Sequence, residues 1–255
     1  MTKLIRSLKI IEKIELNQDF FILELLSAER LPLILPGQFV HARIDNSKET
    51  FLRRPFSVHD IDYDKNTIKL LIQKVGRGTE SLARLSQNDY LNVIYPLGNS
   101  FSMPNSGEKV LIAGGGTGVA PLFFLAKYLY GQGFSIDIVL GFRNRDRIIE
   151  SNELVGYGNV FITTEDGSEG IKGIVTDHPV FKSKKFDRIY CCGPLLMMKA
   201  VGNYAKCNQI YCEVSLENLM ACGIGICLCC VEKTIHGNLC TCTDGPVFNL
   251  SELLW

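Results

Sequence analysis

The chain has 255 residues, of which 46% are hydrophobic and 21% charged, and this length favours more than one domain. Its 27 acidic and 27 basic side chains balance, so it lacks the positive excess that binds nucleic-acid phosphates. The first residues show no signal-peptide pattern, and no apolar stretch approaches a membrane span of about 20 residues. We therefore expect a cytoplasmic protein with no nucleic-acid or membrane partner, whose ten cysteines serve metal or redox chemistry before disulfides.

The first part of the chain, residues 1–104, has the pattern of a small antiparallel β-barrel. Apolar and polar residues alternate with a period near two, and Pro, Gly, Asn or Asp separate the runs. The predicted strands are residues 20–26, 39–44, 67–74 and 90–94, and the predicted helix is residues 79–85. We expect these residues to form one β domain.

Residues 105–211 alternate strands with helices, which predicts an α/β domain with a parallel sheet. The predicted strands are residues 109–113, 136–142, 159–163 and 188–191, and the predicted helices are residues 119–130 and 195–204. The remaining residues, 212–255, follow neither pattern. They form a third predicted domain, a small cysteine-rich module.

A glycine-rich turn joins the first strand of the α/β domain to its first helix, in the sequence IAGGGTGVAPLFFLAKYL. Residues without Cβ let the backbone approach a diphosphate, and the N–H groups of the following helix add positive partial charge. The alternative is a turn that serves packing only. The strand and helix context favours nucleotide binding. The candidate residues are Gly114, Gly115, Gly116, Thr117 and Gly118.

A second turn, Cys192-Gly193-Pro194, follows the predicted strand at residues 188–191 and precedes a helix. The carboxyl ends of parallel strands line the crevice in which open α/β sheets bind ligands. Taken alone, such a turn is more often structural. Beside the glycine-rich turn it is a candidate for the same nucleotide site.

Two stretches of the β domain carry arginine and hydroxyl groups suited to an anion. Arg54-Pro55-Phe56-Ser57 follows Arg53, and Gly78-Thr79 opens the predicted helix. An arginine beside a hydroxyl can hold a phosphate, and a helix start offers backbone donors. From the residues alone these features suggest a phosphate or flavin site without establishing one.

Six of the ten cysteines lie between residues 221 and 248. Cys222, Cys227 and Cys230 have the spacing C-x4-C-x2-C, which is typical of plant-type [2Fe–2S] ligation. A fourth thiolate is needed. Cys229 adjoins Cys230 and would reach the far iron with strain, so the return segment with Cys240 and Cys242 supplies the better candidates.

The competing interpretation is a zinc ribbon built from Cys227, Cys230, Cys240 and Cys242. It leaves Cys222 without a role, and its second pair has the spacing C-x-C where zinc sites prefer C-x2-C. The glycines between the first cysteines also favour a loop that wraps a cluster.

The chain's four histidines are His41, His59, His178 and His236, and no catalytic pattern connects them. We predict surface or turn positions for them and assign no side chain as a catalytic acid or base.

The order of these motifs resembles the ferredoxin-reductase-like flavoproteins. The sequences MACGIGICLCC and CTDGPVF resemble, more narrowly, the electron-transfer subunits of NAD-linked dihydroorotate dehydrogenase type B. The likeness covers essentially the whole chain and implies a flavin-binding β-barrel, a nucleotide domain and a C-terminal [2Fe–2S] module. It implies Cys222, Cys227, Cys230 and Cys242 as the cluster ligands.

The resemblance also implies FAD and NAD sites. Its flavin contacts correspond to Arg54, Pro55, Phe56, Ser57, Leu71, Ile72, Gln73, Gly78 and Thr79. The NAD residues would be Gly114 to Gly118 and Cys192 to Pro194. NADP remains an alternative on the sequence, because Arg143, Arg145 and Arg147 follow the second strand of the α/β domain.

The implied function is electron transfer in pyrimidine biosynthesis. Electrons from a partner subunit, in which FMN oxidises dihydroorotate, would pass through the cluster and FAD to NAD⁺. The implied assembly is a heterotetramer of two catalytic and two electron-transfer subunits. The alternatives are a subunit of a ferredoxin:NADP reductase or sulfide dehydrogenase, and a zinc-stabilised binding module without a redox role.

Overall fold

The computed structural model describes residues 2–45 and 50–255, which divide into two compact units. The first unit runs from the N-terminal residues to Ser100 and includes Glu217–Glu232 and Asn238–Pro246. The second unit comprises Phe101–Leu216, Lys233–Gly237 and Val247–Trp255. The boundaries that we drew at residues 104 and 211 stay predictions. Most of the cysteine-rich segment belongs to the first unit.

The first unit is built on an antiparallel sheet with the strand order β4-β3-β7-β1-β2-β6-β5. The strands are β1 (Leu4–Glu15), β2 (Phe20–Leu26), β3 (Phe39–Ala42), β4 (Arg54–Ser57), β5 (Asp60–Asp62), β6 (Thr67–Gln73) and β7 (Tyr90–Leu97). The helix α1 (Arg77–Ala83) follows β6. Apolar side chains such as Phe21, Leu23 and Ile72 are fully buried. The predicted antiparallel β domain is therefore confirmed.

The second unit contains a parallel sheet with helices, as predicted. The strands of this sheet are β8 (Val110–Gly115), β9 (Ile136–Phe142), β10 (Asn159–Thr164), β11 (Ile171–Lys172), β12 (Arg188–Cys192), β13 (Tyr211–Ser215) and β16 (Val247–Asn249). A separate two-stranded hairpin, β14 (Val231–Thr234) and β15 (Gly237–Cys240), precedes β16 in the chain. The helices are α2 (Val119–Gly131), α3 (Ser151–Leu154), α4 (Val180–Ser183) and α5 (Leu195–Cys207). Among the described residues, no helix is both long and apolar enough to cross a bilayer.

The strand order β11-β10-β9-β8-β12-β13-β16 reverses direction beside β8. The chain leaves β8 through α2 to reach β9 on one side, and it later returns through β12 on the other side. The β12 residue Cys192 pairs with Gly114 of β8. Open α/β sheets bind ligands at the carboxyl ends of strands at such a point. Both turns that we predicted to hold a nucleotide follow the carboxyl ends of β8 and β12.

Candidate cofactor-binding sites

The glycine-rich turn and the Cys192-Gly193 turn lie in direct backbone contact. A Cβ on Gly118 would lie 2.2 Å from the carbonyl oxygen of Cys192, and one on Gly193 would lie 2.8 Å from that of Gly115. Any side chain at these positions would push the ends of β8 and β12 apart. The structure therefore brings the two predicted parts of the nucleotide site together.

The turn also presents backbone to open space. Gly116 has a φ of +57°, and no described atom lies within 4 Å of the position that a Cβ would take there. A 3₁₀ turn, Gly116–Gly118, leads directly into α2, and Pro194 directly precedes α5. Free N–H groups at the start of a helix attract anions. This edge can therefore accept a diphosphate without a charged side chain.

An ion pair follows the carboxyl end of β9, where we identified three arginines. The Nε atom of Arg145 donates to Glu169 at 3.0 Å, and its second terminal nitrogen lies 3.0 Å from the same oxygen. The main-chain N–H of Arg145 donates to the Ser168 hydroxyl at 2.8 Å. The guanidinium of Arg145 is therefore already engaged by a carboxylate.

The predicted flavin residues converge within the first unit. The residues Arg54 to Ser57 form the edge strand β4, all four are half-buried, and β4 packs against β6. The Nε atom of Arg54 lies 3.6 Å from the position of a Cβ on Gly78. In β6, Leu71 and Ile72 are buried and Gln73 is half-buried.

The Thr79 hydroxyl is engaged within its own turn, which leaves the expected backbone donors of Gly78 and Thr79 as the means of contact with an anion. It accepts hydrogen bonds from the main-chain N–H of Val75 at 2.9 Å and of Gly76 at 3.2 Å. It donates to the Gly76 carbonyl at 3.0 Å. The hydroxyl therefore closes the first turn of α1, and any contribution of Thr79 to an anion comes from its main chain.

The predicted cluster ligands form two pairs in the first unit. Cys227 is a neighbour of the Cys222 thiol, and Cys230 is a neighbour of both the Cys242 thiol and the Cys240 thiol. A [2Fe–2S] cluster held by four cysteines takes two thiolates on each iron. The observed pairing fits that donor set. No three His, Cys, Asp or Glu side chains in residues 2–45 and 50–255 are placed to hold a single metal ion.

Main-chain N–H groups of the loop point at two of these sulfurs. Ile224 and Cys227 each donate to the Cys222 sulfur at 3.4 Å, and Gly225 donates to the Cys242 sulfur at 3.2 Å. Such donors stabilise sulfur ligands and tune an iron–sulfur cluster. The loop is therefore shaped around its thiols in the manner that a cluster requires.

The pKa values of the two sulfurs differ because their surroundings differ. Burial would raise the pKa of the Cys222 thiol, but hydrogen bonds led by the Ile224 and Cys227 N–H groups lower it to about 6. Burial, followed by the neighbouring Cys230 thiol, raises the pKa of Cys242 to about 12. Thiolates are the metal-binding form. Cys222 would therefore bind a metal more readily than Cys242, whose proton the metal would have to displace.

The two spare thiols occupy different environments. Cys229 is exposed, and Cys240 is buried in an apolar cluster that also contains Cys230 and Cys242. The main-chain N–H of Cys240 donates to the Asp244 carboxylate at 2.7 Å. The choice between Cys240 and Cys242 as fourth ligand rests on the family resemblance and on the Gly225 hydrogen bond, which reaches Cys242.

The prediction of surface or turn positions was wrong for two of the histidines. His41 is fully buried in β3, and His59 is 1% exposed. The whole of β3 is buried, so its alternate side chains do not face solvent. Burial and the charge of Arg53 lower the pKa of His41 to about 4, although main-chain groups of Arg53 and Cys222 act in the opposite direction. The His41 ring is therefore neutral at pH 7.

Comparisons with known proteins agree with these features. The family model described as the iron–sulfur cluster binding domain of dihydroorotate dehydrogenase B matches residues 217–254. The dihydroorotate dehydrogenase B (NAD(+)) electron transfer subunit of Shouchella clausii (strain KSM-K16) is 37% identical over 253 residues, with 97% of each chain covered. The subunit of the same name from Bacillus mycoides (strain KBAB4) is 37% identical over 226 residues, with 86% of each chain covered.

Two solved structures support the fold. A chain of the NADH-dependent reduced ferredoxin-NADP oxidoreductase is 32% identical with a TM-score of 0.88, covering 97% of this chain and 90% of that chain. Phthalate dioxygenase reductase is 22% identical with a TM-score of 0.65, covering 79% of this chain and 64% of that chain. These likenesses, with the family model, confirm the expected ferredoxin-reductase-like fold with a C-terminal iron–sulfur domain.

Proposed function

The chain belongs to the family of dihydroorotate dehydrogenase B electron-transfer subunits, and from this premise we propose the role of each of its sites. Electrons enter from a partner subunit that oxidises dihydroorotate on FMN, and they leave as hydride on NAD⁺. The observation that carries this proposal is the position of all four predicted cysteine ligands within the segment that the family model matches, with N–H groups of the loop directed at two of their sulfurs.

Three groups complete the chain when bound: a [2Fe–2S] cluster passes single electrons, FAD exchanges single electrons for hydride, and NAD⁺ accepts hydride. The four paired cysteines would hold the cluster, with N–H groups of the loop directed at two of the sulfurs. Burial of Cys230 and Cys242 keeps water from one pair, while Cys222 and Cys227 remain accessible.

The flavin residues have separable tasks. Arg54 donates at 3.0 Å to the carbonyl of Leu52 and lies beside Gly78 in the first turn of α1, so its position is fixed. A fixed guanidinium can pair with a diphosphate in a bidentate manner. Leu71 and Ile72 belong to the buried strand β6, which supports β4 and excludes water.

The nucleotide residues bind through backbone. The tight contact between Gly118 and Cys192 holds the two strand ends together, and the start of α2 faces the open space at Gly116. The choice of NAD over NADP rests on the name of the relatives, and one of the three candidate arginines, Arg145, already pairs with Glu169.

The cluster loop also offers a surface for the partner. Leu219 is 86% exposed, Ile226 77% and Leu228 64%. Adjacent exposed apolar side chains are a mark of protein interaction sites. We place the docking site of the catalytic subunit here, in a heterotetramer of two catalytic and two electron-transfer subunits. The free cysteines suit the reducing cytoplasm, which we propose as its location.

A second candidate function is a flavin and iron–sulfur subunit that serves a different partner, such as a ferredoxin:NADP reductase. The 32% identity and TM-score of 0.88 with the NADH-dependent reduced ferredoxin-NADP oxidoreductase support this alternative. The two candidates share the cofactors and differ in the protein that delivers electrons.

The experiment is anaerobic purification of the chain alone and after co-expression with an FMN-containing dihydroorotate dehydrogenase catalytic subunit. We expect FAD, two irons and two sulfides per chain, a stable complex, and dihydroorotate-dependent reduction of NAD⁺ only in the complex. A loaded chain that binds no such subunit, and reduces ferredoxin instead, would support the second candidate. A colourless chain containing zinc would overturn both.

A further inference from the structure

The His41 ring is an isolated polar group in the core of the first unit. Its side chain is fully buried, and neither ring nitrogen has a hydrogen-bond partner of acceptable geometry among the described atoms. A buried polar group left without a partner destabilises the folded state. Such a group therefore requires a structural or functional explanation.

The ring lies directly against the cysteine loop. A Cβ on Gly223 would lie 2.5 Å from Nδ1 of His41 and 3.1 Å from Cε1. Gly223 has a φ of +70°, a conformation that L side chains rarely adopt, and it follows Cys222 directly. Ring and loop are therefore fitted to each other at the residue next to the first sulfur.

The main chain of the same residue contacts the strand expected to hold the flavin. His41 is opposite Pro55 in the ladder between β3 and β4. Its carbonyl accepts a hydrogen bond from the Arg53 guanidinium at 3.1 Å. A displacement of the ring or of β4 would therefore move residues of both the candidate cluster site and the candidate flavin site.

We propose that His41 is a positioning residue for the iron–sulfur site, an inference that rests on the proposed function. The four cysteines complete the proposed ligand set, so the ring is not itself an iron ligand. The ring packs against the loop at Gly223 and lies close to a main-chain group of Cys222, so it fixes the main chain beside that sulfur. Residues that orient metal ligands in this way change metal affinity about 10- to 100-fold when they are replaced.

The chain offers a matched control in His59. It is 1% exposed and lies in the same unit, and its main-chain N–H donates to the carbonyl of Lys69 at 2.9 Å, away from the cysteine loop. Replacing either histidine removes a buried imidazole. The replacement of His41 removes the ring that lies against Gly223 of the loop.

The test compares the wild-type holoprotein with His41→Leu, His41→Asn and His59→Leu. The readouts are iron and sulfide per chain, the EPR spectrum of the reduced cluster and its midpoint potential. For His41→Leu we expect about tenfold weaker retention of the cluster against a chelator, with an altered EPR spectrum. His41→Asn, which restores a donor, should recover much of the retention, and His59→Leu should keep the wild-type spectrum.

Gly223→Ala provides an independent approach if His41→Leu does not fold. The added methyl group would press on the ring from the loop side, so it should reproduce the altered spectrum. A wild-type EPR spectrum, potential and retention in His41→Leu, or in Gly223→Ala where His41→Leu does not fold, would overturn the proposal while leaving the proposed function intact. A wild-type chain that binds no iron and sulfide would overturn the proposed function itself.

Discussion

Two glycine-rich stretches belong to the two candidate cofactor sites, and they need glycine for different reasons. Gly118 has an ordinary helical φ of −62°, and its hydrogen faces the carbonyl of Cys192, where a Cβ would lie 2.2 Å away. Gly225 has a φ of +85°, and a Cβ there would meet the Thr243 side chain at 2.9 Å. At Gly118 the nucleotide turn needs space between two backbones, whereas at Gly225 the cysteine loop needs a left-handed backbone.

This difference separates a preformed site from one that depends on its ligand. The nucleotide turn continues β8, which pairs along its length with β9 and β12. The cysteine loop between Met220 and Cys230 contains no strand or helix, and its shape depends on N–H groups directed at sulfurs. The hydrogen bonds between strands hold the nucleotide turn in place without a cofactor. The cysteine loop should take its final form only around a cluster.

The largest effect is expected from Gly118→Ala. The methyl group would overlap backbone atoms of Cys192 and Gly193 that strand pairing prevents from moving. A misplacement near 1 Å at such a site costs about 10²-fold in rate. We expect NADH-driven reduction of FAD to fall by about that factor in stopped-flow measurements, while the iron content stays unchanged.

Gly131→Ala is the matched control for that change. Gly131 ends α2 in the same unit, and no described atom lies within 4 Å of its Cβ position. Alanine there should leave the reduction rate unchanged. Equal loss in both variants would mean that α2, and not the contact with Cys192, sets the rate.

The next largest effect separates the two thiols of the return segment. Cys242→Ser should remove most of the iron and stop electron flow from the partner, because its sulfur accepts the Gly225 N–H and faces Cys230. NADH reduction of FAD should continue, since it does not involve the cluster. Iron and sulfide analysis with the visible spectrum measures the first effect.

Cys240→Ser is the comparison, as a buried cysteine of the same apolar cluster. It should retain iron and sulfide at the wild-type level. The reverse pattern, with iron lost from Cys240→Ser and kept in Cys242→Ser, would refute the ligand assignment.

Local patterns predicted much of the fold. The strands at residues 20–26 and 136–142 have the bounds that were predicted from their apolar runs. The strand β1 was missed, although Leu8 and Ile10 are buried on either side of half-exposed Lys9. Frequent charges hid the alternation. The strand β16 pairs antiparallel with β13, a long-range choice that no local pattern specifies.

The candidate sites were predicted to a similar extent, and for a similar reason. Cysteine spacing and the glycine turn are local signals, so Cys222, Cys227, Cys230 and the nucleotide turn could be named from the sequence. The proposed role of His41 could not be predicted from the sequence. It depends on the contact with Gly223, a residue that is distant in the sequence and comes close to His41 only in the folded chain. The use of the Thr79 hydroxyl inside its own turn was also invisible before the structure.

Removal of the cluster tests the difference between preformed and ligand-dependent sites directly. Chelation of iron should increase hydrogen exchange at the Ile224, Gly225 and Cys227 amides, whose hydrogen bonds end on cysteine sulfurs. Exchange in β8 should not change, because its amides lie in strand ladders. Mass spectrometry of peptic fragments from the loaded and iron-free protein measures both. Unchanged exchange in the loop would mean that its shape does not depend on the cluster.

The smallest effect should come from Gly225→Ala. A left-handed alanine costs about 1–2 kcal/mol, and the Thr243 side chain can rotate away from the added methyl group. Gly237→Ala separates the backbone strain from the contact with Thr243. Gly237 has a φ of +93°, and no described atom lies within 4 Å of its Cβ position, so alanine there adds strain alone. Urea unfolding of both loaded variants should show similar losses of stability, with a small excess for Gly225→Ala. An effect on iron retention as large as that of Cys242→Ser would show that the loop has no freedom to adjust, and the contrast with the nucleotide turn would then fail.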